Sequence, residues 1–241
     1  GEIQNLREMF ILPKLRAAIQ NKILSWASAY PRGTKVLDVG CGNQPFRELI
    51  ERQGWSYIGF DVSQNQKRTV DVLGQIDAET LPNTLIDSAP FDLIIVTEVM
   101  EHVLDWDKAL KNLSSLLKSE GQLFVTCPFF FPLHETPYDY WRPTCFALEA
   151  VGQKYHLRLA QIEKMGSSTD CLGLLVGHLL EKMNYVRPRN FLNRIFLALQ
   201  QRFLKGYLIG LHILVRRGGL EANFSHLKDF YISNVATFIK G

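Results

Sequence analysis

The chain has 241 residues, 46% apolar and 21% charged, which is ordinary globular usage and enough to bury a substantial core. Its formal net charge of +3 is too small to mark a nucleic-acid binder, whose basic residues gather heavily on one face. Four cysteines, Cys41, Cys127, Cys145 and Cys171, lie far apart with no CxxC pair and no Cys/His spacing of a zinc site. No metal is expected, and free thiols in a reducing cytoplasm fit this usage.

The first thirty residues carry Glu2, Glu8 and Pro13 around short apolar runs, which is not the pattern of a signal peptide. Over residues 14–30, Leu15, Ile19, Ile23, Trp26, Ala27 and Tyr30 recur at three- and four-residue steps, predicting one face of a helix that Pro31 and Gly33 end. Short apolar runs then alternate with helical stretches. Residues 35–39, 56–61, 91–97 and 122–127 read as strands; residues 46–53, a weaker segment at 76–85, and 104–117 read as helices. Val36-Leu37 and the run from Leu93 to Val96 are uninterrupted apolar segments, as expected of parallel strands covered on both faces. The alternation predicts an open, doubly wound α/β sheet. Residues 167–227 lack strand patterning and are dominated by helical periodicity, whereas 230–239 return to strand character. The organisation expected is therefore a single domain over 1–241. It comprises an N-terminal helical segment (1–31) over the ligand, a core (32–166), a helical insertion (167–227) and a final strand (228–241).

The run Val36-Leu37-Asp38-Val39-Gly40-Cys41-Gly42-Asn43 is an apolar strand entering a glycine turn, with a helix starting after it. Glycine at 40 and 42 permits the tight turn and lets a ligand approach the backbone. Asp61, at the end of the next strand, stands where an acid accepts hydrogen bonds from ribose hydroxyls. A dinucleotide fingerprint needs a third glycine, and here that position is Pro45. Asp38, before the first glycine, suits a cationic ammonium or sulfonium ligand better than a pyrophosphate.

With these residues the chain resembles class I S-adenosylmethionine-dependent methyltransferases that act on small molecules. The resemblance covers about residues 14–166 and the final strand, and implies a three-layer, mostly parallel seven-stranded Rossmann-like sheet. It implies that Asp38, Gly40, Cys41, Gly42 and Asn43 hold the methionine portion of S-adenosyl-L-methionine. Asp61 with Val62 would take the ribose, and Asp77 with Ala78 the adenine. Glu98 stands at the end of the fourth strand, which lines the methyl-transfer site. Many members have glycine where this chain has Gln44, and a subgroup resembles Gly-Cys-Gly-Asn-Gln-Pro-Phe-Arg as found here.

Methyl transfer mainly requires that an acceptor be aligned behind the methyl group, and an oxygen acceptor also loses a proton. Histidine, titrating near neutrality, is the default base. His102 follows the fourth strand. His134 lies in a loop, residues 128–144, that combines aromatic and charged residues. These two are the catalytic candidates, with His134 first and Tyr138, Asp139 and Arg142 as candidate substrate contacts. The loop resembles the His-x-x-Pro-Tyr-Asp-x-x-Arg-x-Thr stretch of methyltransferases that accompany cell-surface polysaccharide biosynthesis, which implies a sugar or lipid-linked acceptor. A purely structural role is the competing reading, with Asp139 paired to Arg142 and Thr144 capping the next helix. His156, His178, His212 and His226 are read as packing or surface residues.

Three rivals are weighed against O-methylation of a small or lipid-linked acceptor: an RNA methyltransferase, a protein methyltransferase, and a non-catalytic scaffold of the same fold. Thr97-Glu98-Val99-Met100 is not the Asp/Asn-Pro-Pro-Tyr/Phe tetrad of base-amino methylation. Cys127 lacks the companion Pro-Cys needed for cytosine methylation. No nucleic-acid partner is expected. In the insertion, Leu192, Ile195, Phe196, Leu199, Phe203, Tyr207, Leu208, Leu211 and Val215 form one apolar stripe, and residues 166–227 hold eight Lys/Arg against three Asp/Glu. The expectations are a cap packed on the sheet, a homodimer contact, or peripheral attachment to an anionic membrane; the apolar stretch is too short to span one. Localisation is expected to be cytoplasmic, including the inner face of the membrane.

Overall fold

A computed structural model describes residues 8–188, 190–216 and 229–241. Seven strands form one sheet: β1 (Lys35–Val39), β2 (Ser56–Asp61), β3 (Val72–Leu73), β4 (Phe91–Thr97), β5 (Leu117–Pro128), β6 (Leu157–Met165) and β7 (Ser233–Lys240). The order is β3-β2-β1-β4-β5-β7-β6. β1 pairs in parallel with β2 and β4, β4 with β5, and β2 with β3, while β7 runs antiparallel to β5. The sheet is thus the expected doubly wound one, with its single reversed neighbour at β7. The helices are α1 (Leu12–Ala27), α2 (Arg47–Glu51), α3 (Asn83–Ser88), α4 (Trp106–Leu116), α5 (Cys145–Lys154), α6 (Ser168–Met183) and α7 (Phe191–Arg216).

Alternation along the central strands divides their side chains between two faces. Leu37, Ile94 and Leu123 join Leu85, Leu113 and Leu148 in the main buried cluster, so this face is covered by α3, α4 and α5. The offset residue Phe124 meets Trp26 of α1 edge to face, ring centroids 6.1 Å apart. Trp26 Nε1 also donates to Gln122 Oε1 at 2.8 Å. Two covered faces explain why β1 and β4 read as apolar runs, and the bounds of β1, β2 and β4 are those of the sequence reading. Cutting a fully buried Leu37 or Leu113 to alanine is expected to cost about 2–5 kcal/mol.

Differences from the expected elements have local causes. The helix expected from Leu104 starts at Trp106, because Asp105 is its cap, accepting from Lys108 N–H, and Leu104 is left exposed. The helix expected over 46–53 is shorter, at Arg47–Glu51, and the one expected over 76–85 lies instead at Asn83–Ser88. β5 begins at Leu117 and not at 122: its exposed Lys118, Ser119 and Glu120, with a left-handed Glu120 (φ 60°), look like a loop in sequence.

The described residues fall into two bodies, one from 18–129, 133–164 and 233–241, the other from 8–17, 130–132, 165–188, 190–216 and 229–232. The first holds nearly the whole sheet. In the second, Ser167 and Asp170 cap α6 reciprocally, and Lys14 Nζ reaches Asp170 Oδ2 at 2.7 Å. Gly173 lets Phe10 pack on α6, since a Cβ there would stand 2.5 Å from the Phe10 ring. His212 meets that ring edge on, centroids 5.6 Å apart. His226, Arg189, Arg217 and Glu221 lie outside the described residues.

Candidate active site

The glycine turn follows β1. Gly40 adopts φ 68°, and a Cβ there would overlap the Val99 side chain, so both conformation and space demand glycine. Gly42 adopts φ 50° but has nothing within 4 Å of a Cβ position, leaving its backbone open. Asp61 Oδ2 accepts from Gly42 N–H at 2.9 Å and Oδ1 from Ser63 N–H at 3.0 Å. Each oxygen keeps a second lone pair for a hydroxyl donor. Beside them is a cavity of about 320 Å³ lined by Gly42, Asn43, Asp61 and residues 63–66. Val62 is exposed next to it.

Asp38 is buried and accepts from Tyr57 Oη–H at 2.7 Å. Burial, with Asp61 adding and the Tyr57 hydrogen bond opposing, pushes its carboxyl up to about 7. Cys41 is buried beside it and its thiol is pushed up to about 12, chiefly by burial, so it packs as a neutral side chain. Gln44 holds φ 55°, the left-handed backbone that glycine adopts without strain. Its amide compensates by donating to Thr69 O at 2.8 Å. Asp77 Oδ2 accepts from Asp105 N–H at 3.3 Å, and Asn112 Nδ2 ties down Ile76 O and Ala78 O. A backbone thus prepared for close approach, with carboxylates beyond it, fits a ligand carrying both an ammonium and ribose hydroxyls.

Past the carboxyl end of β4, two loops are fastened together. Tyr140 N–H donates to Glu101 O at 2.8 Å, and Trp141 Nε1 donates to Val103 O at 2.9 Å. Asn234 Nδ2 of β7 donates to Pro143 O at 2.9 Å. This lashing brings together two histidines 32 residues apart: His102 Nε2 lies 3.1 Å from His134 Nε2. His102 Nδ1 donates to Tyr138 O at 2.7 Å. His134 Nδ1 lies 3.3 Å from Asp139 Oδ2, which also accepts the His134 backbone N–H at 2.9 Å. Arg142 forks onto both oxygens of Asp139 at 2.6 and 2.7 Å. Burial alone would raise Asp139, but Arg142 and His134 hold it at about 2.

The Asp139–Arg142 pair and the Thr144 cap of α5, which accepts from Ala147 N–H, are the structural arrangement weighed in sequence. Asp139 therefore orients His134, and the Tyr138 side chain stands exposed while its carbonyl fixes His102. Tyr57 and Glu101 were not singled out in sequence. Glu101 is fully buried below the two histidines, its Oε1 at 3.8 Å from His102 Nε2 and 3.9 Å from His134 Nε2. Its spacing from Glu98 and its place beside His102 were the available signals. Glu98 is left-handed (φ 53°), accepts from Ser233 Oγ–H at 3.1 Å, and has its carboxyl raised, above all by burial. Cys127 is buried and its thiol is raised far above the ordinary range, first by burial and then by Glu101, which rules it out as a ready nucleophile.

The sequence profile of a family described as a methyltransferase domain matches residues 11–163. The ubiquinone biosynthesis O-methyltransferase of Pelagibacter ubique is 35% identical over 103 residues, 39% of this chain and 42% of that protein. That of Bartonella bacilliformis is 31% identical over 133 residues, 52% of this chain and 49% of that protein. The chain therefore spans less than half the length of these two curated relatives. Among solved structures, a SAM dependent methyltransferase from Archaeoglobus fulgidus has a TM-score of 0.53 at 15% identity, covering 93% of this chain and 94% of that one. Phosphoethanolamine N-methyltransferase 2 of Haemonchus contortus, in complex with S-adenosyl-L-methionine, has a TM-score of 0.52 at 17% identity, covering 92% of this chain and 52% of that one. At these identities the likeness is one of fold.

Proposed function

Since the chain belongs to the methyltransferase-domain family and is an S-adenosyl-L-methionine-dependent enzyme, we propose that it methylates a hydroxyl oxygen of a small-molecule, sugar or lipid-linked acceptor held at His102 and His134. The observation that carries this reading is the histidine pair past β4, with each Nδ1 engaged and the two Nε2 atoms facing one another. When bound, S-adenosyl-L-methionine supplies a methyl group on a sulfonium, already an electrophile. Asp38, Gly40, Cys41, Gly42, Asn43, Asp61, Val62, Asp77, Ala78 and Glu98 are the proposed residues around it. The acceptor hydroxyl would stand with its O–H toward an imidazole Nε2, which would take the proton as the oxygen gains the methyl group. The Tyr138 carbonyl and Asp139 steady the two rings on their far sides, and Asp139 with Arg142 sets the angle of His134.

Oxygen is favoured over nitrogen by the named activity of the curated relatives and by the presence of a base pair, which an amine acceptor needs less. The link to cell-surface polysaccharide biosynthesis rests on the His134–Thr144 stretch alone. We further propose that the chain works as one methyltransferase domain, cytoplasmic, with the exposed apolar face of α7 resting on anionic lipid; among the described residues no helix is long and apolar enough to cross a membrane. The test is a transfer screen with methyl-labelled cofactor against sugars, nucleotide sugars, lipid extracts, protein and RNA. Label is expected in a hydroxyl-bearing sugar or lipid, and in none of them with His134→Ala. Label in RNA or protein alone would overturn the acceptor class.

A further inference from the structure

We propose that Glu101, His102 and His134 bind a first-row divalent transition ion of the Zn²⁺ kind. The three donors are His102 Nε2, His134 Nε2 and Glu101 Oε1, and their separations are 3.1, 3.8 and 3.9 Å. These bracket the roughly 3.4 Å edge of a tetrahedron built on metal–ligand bonds of about 2.1 Å. All of the ligand atoms lie within 4.8 Å of one another.

Two features of the cluster are accounted for by a cation. A carbonyl only accepts, so the contact of His102 Nδ1 with Tyr138 O places a proton on that nitrogen. Asp139 Oδ2 stands 3.3 Å from His134 Nδ1. The two Nε2 atoms face one another at 3.1 Å, a spacing suited to two ligand atoms on one ion. Beneath them both carboxyl oxygens of Glu101 are buried with no hydrogen-bond partner, a costly state for an acid.

The surroundings are those of a ligand shell. A ligating imidazole commonly donates its far N–H to a carboxylate or a backbone carbonyl, and the two rings use one of each. Two imidazoles and one carboxylate suit zinc and its neighbours, whereas magnesium and calcium prefer all-oxygen shells. Three protein ligands leave a fourth position, and the histidine side chains remain 18% and 23% exposed, so that position is open to water or an acceptor oxygen. With an ion bound, a hydroxyl at the open position would be acidified and would lose its proton to water, and the base role proposed above belongs to the ion-free protein. That acidification rests on the acceptor site proposed above; binding of the ion does not.

Untagged, chelator-stripped protein titrated with Co²⁺ and followed by visible absorption tests the site. One equivalent is expected to bind with the strong d–d bands of a low-coordinate ion, and Zn²⁺ should displace it. His134→Ala and Glu101→Gln should each abolish those bands, and Asp139→Asn should weaken binding about 10-fold. Circular dichroism and calorimetry with S-adenosyl-L-methionine show whether each variant is folded. Folded wild-type protein that takes up neither Co²⁺ nor Zn²⁺ stoichiometrically would overturn the site. Unchanged uptake by a His102→Ala/His134→Ala variant, or a proton alone shared by the two rings at full metal load, would do the same. Methylation of a hydroxyl by chelator-stripped protein without Co²⁺ uptake removes the ion and leaves the acceptor reading standing. Stoichiometric uptake with no hydroxyl methylated does the reverse.

Discussion

Asp38 combines two demands that oppose each other. Its carboxyl is raised to about 7 because it is buried, so ionising it in the folded protein costs free energy that the unfolded chain, with an ordinary carboxylate near 3.9, does not meet. The native state therefore holds the extra proton between those two values, and stability falls as pH rises from about 4 to 7. Asp38→Asn, which keeps an acceptor for Tyr57 Oη, is expected to raise the stability of the ligand-free protein above pH 7, by about 4 kcal/mol at most. The same change should remove the partner for the ligand's ammonium. Calorimetric titration with S-adenosyl-L-methionine should show wild-type affinity rising with pH and levelling above about 7, and a weak, flat profile in the variant. Thermal unfolding of both at pH 5 and 8 completes the test, and a variant less stable at pH 8 would show that Asp38 is not strained by burial. Gln44 presents a smaller version of the same compromise. Its left-handed backbone costs about 1 kcal/mol that glycine would not incur, and its amide bonds offset it. Gln44→Ala keeps the strain and loses the bonds, so urea unfolding should find it about 1 kcal/mol less stable than Gln44→Gly.

The elements that carry the site differ in how plainly the sequence announced them. β1, β2 and β4 are central, covered on both faces, and were legible to the residue. β3 is two residues long, and β6 lies at the sheet edge with only its end residues Leu157 and Met165 buried, so neither had apolar patterning to read. In the site, Asp38 and Asp61 follow from strand and turn positions alone. The approach of His102 to His134 does not, because it depends on where the carbonyls of Glu101, Val103 and Pro143 tie one loop to another. Glu101 escaped notice because burial is not written in a residue's own identity. The loop's rigidity depends on Arg142, whose fork holds an Asp139 side chain with no exposure. Arg142→Ala should cost about 1–3 kcal/mol, since it strands a covered carboxylate, and should cut turnover by letting His134 rotate. Arg142→Lys keeps the charge without the fork and should fall between. In the Asp139→Asn background the stability cost of Arg142→Ala should shrink, because no charge is left uncompensated; a full, additive cost in melting experiments would separate Arg142 from Asp139.

At the scale of the whole molecule, the apolar stripe of α7 is the surface that sheet and site leave unexplained. Packing on the sheet was one of the three expectations for the stripe; Phe196, Leu199 and Phe203 are 63%, 58% and 74% exposed, and among its described residues only Leu208 and Leu211 are buried. The side chain of Val215 lies outside the described residues. Tyr185, Phe191 and Leu192 extend the exposed apolar surface, and α7 carries Arg194, Arg202 and Lys205 with no acidic residue. An apolar face flanked only by positive charge matches an anionic bilayer surface, where burial of the aromatic side chains and attraction to headgroups reinforce each other. Such contact would concentrate the enzyme where lipid-linked acceptors lie, without demanding a membrane span. Phosphatidylglycerol-containing vesicles should therefore sediment the wild type, and pure phosphatidylcholine vesicles should do so far less. Phe196→Ser/Phe203→Ser removes apolar anchors, and Arg202→Glu/Lys205→Glu inverts the charge; each should abolish sedimentation while leaving calorimetric affinity for S-adenosyl-L-methionine unchanged, because neither pair belongs to the proposed cofactor site. Salt should weaken the wild-type association, as exposed charges require. If vesicles sediment neither wild type nor variants while Phe196→Ser/Phe203→Ser converts a dimer into a monomer in light scattering, the stripe belongs to a second copy of the chain and the lipid assignment fails.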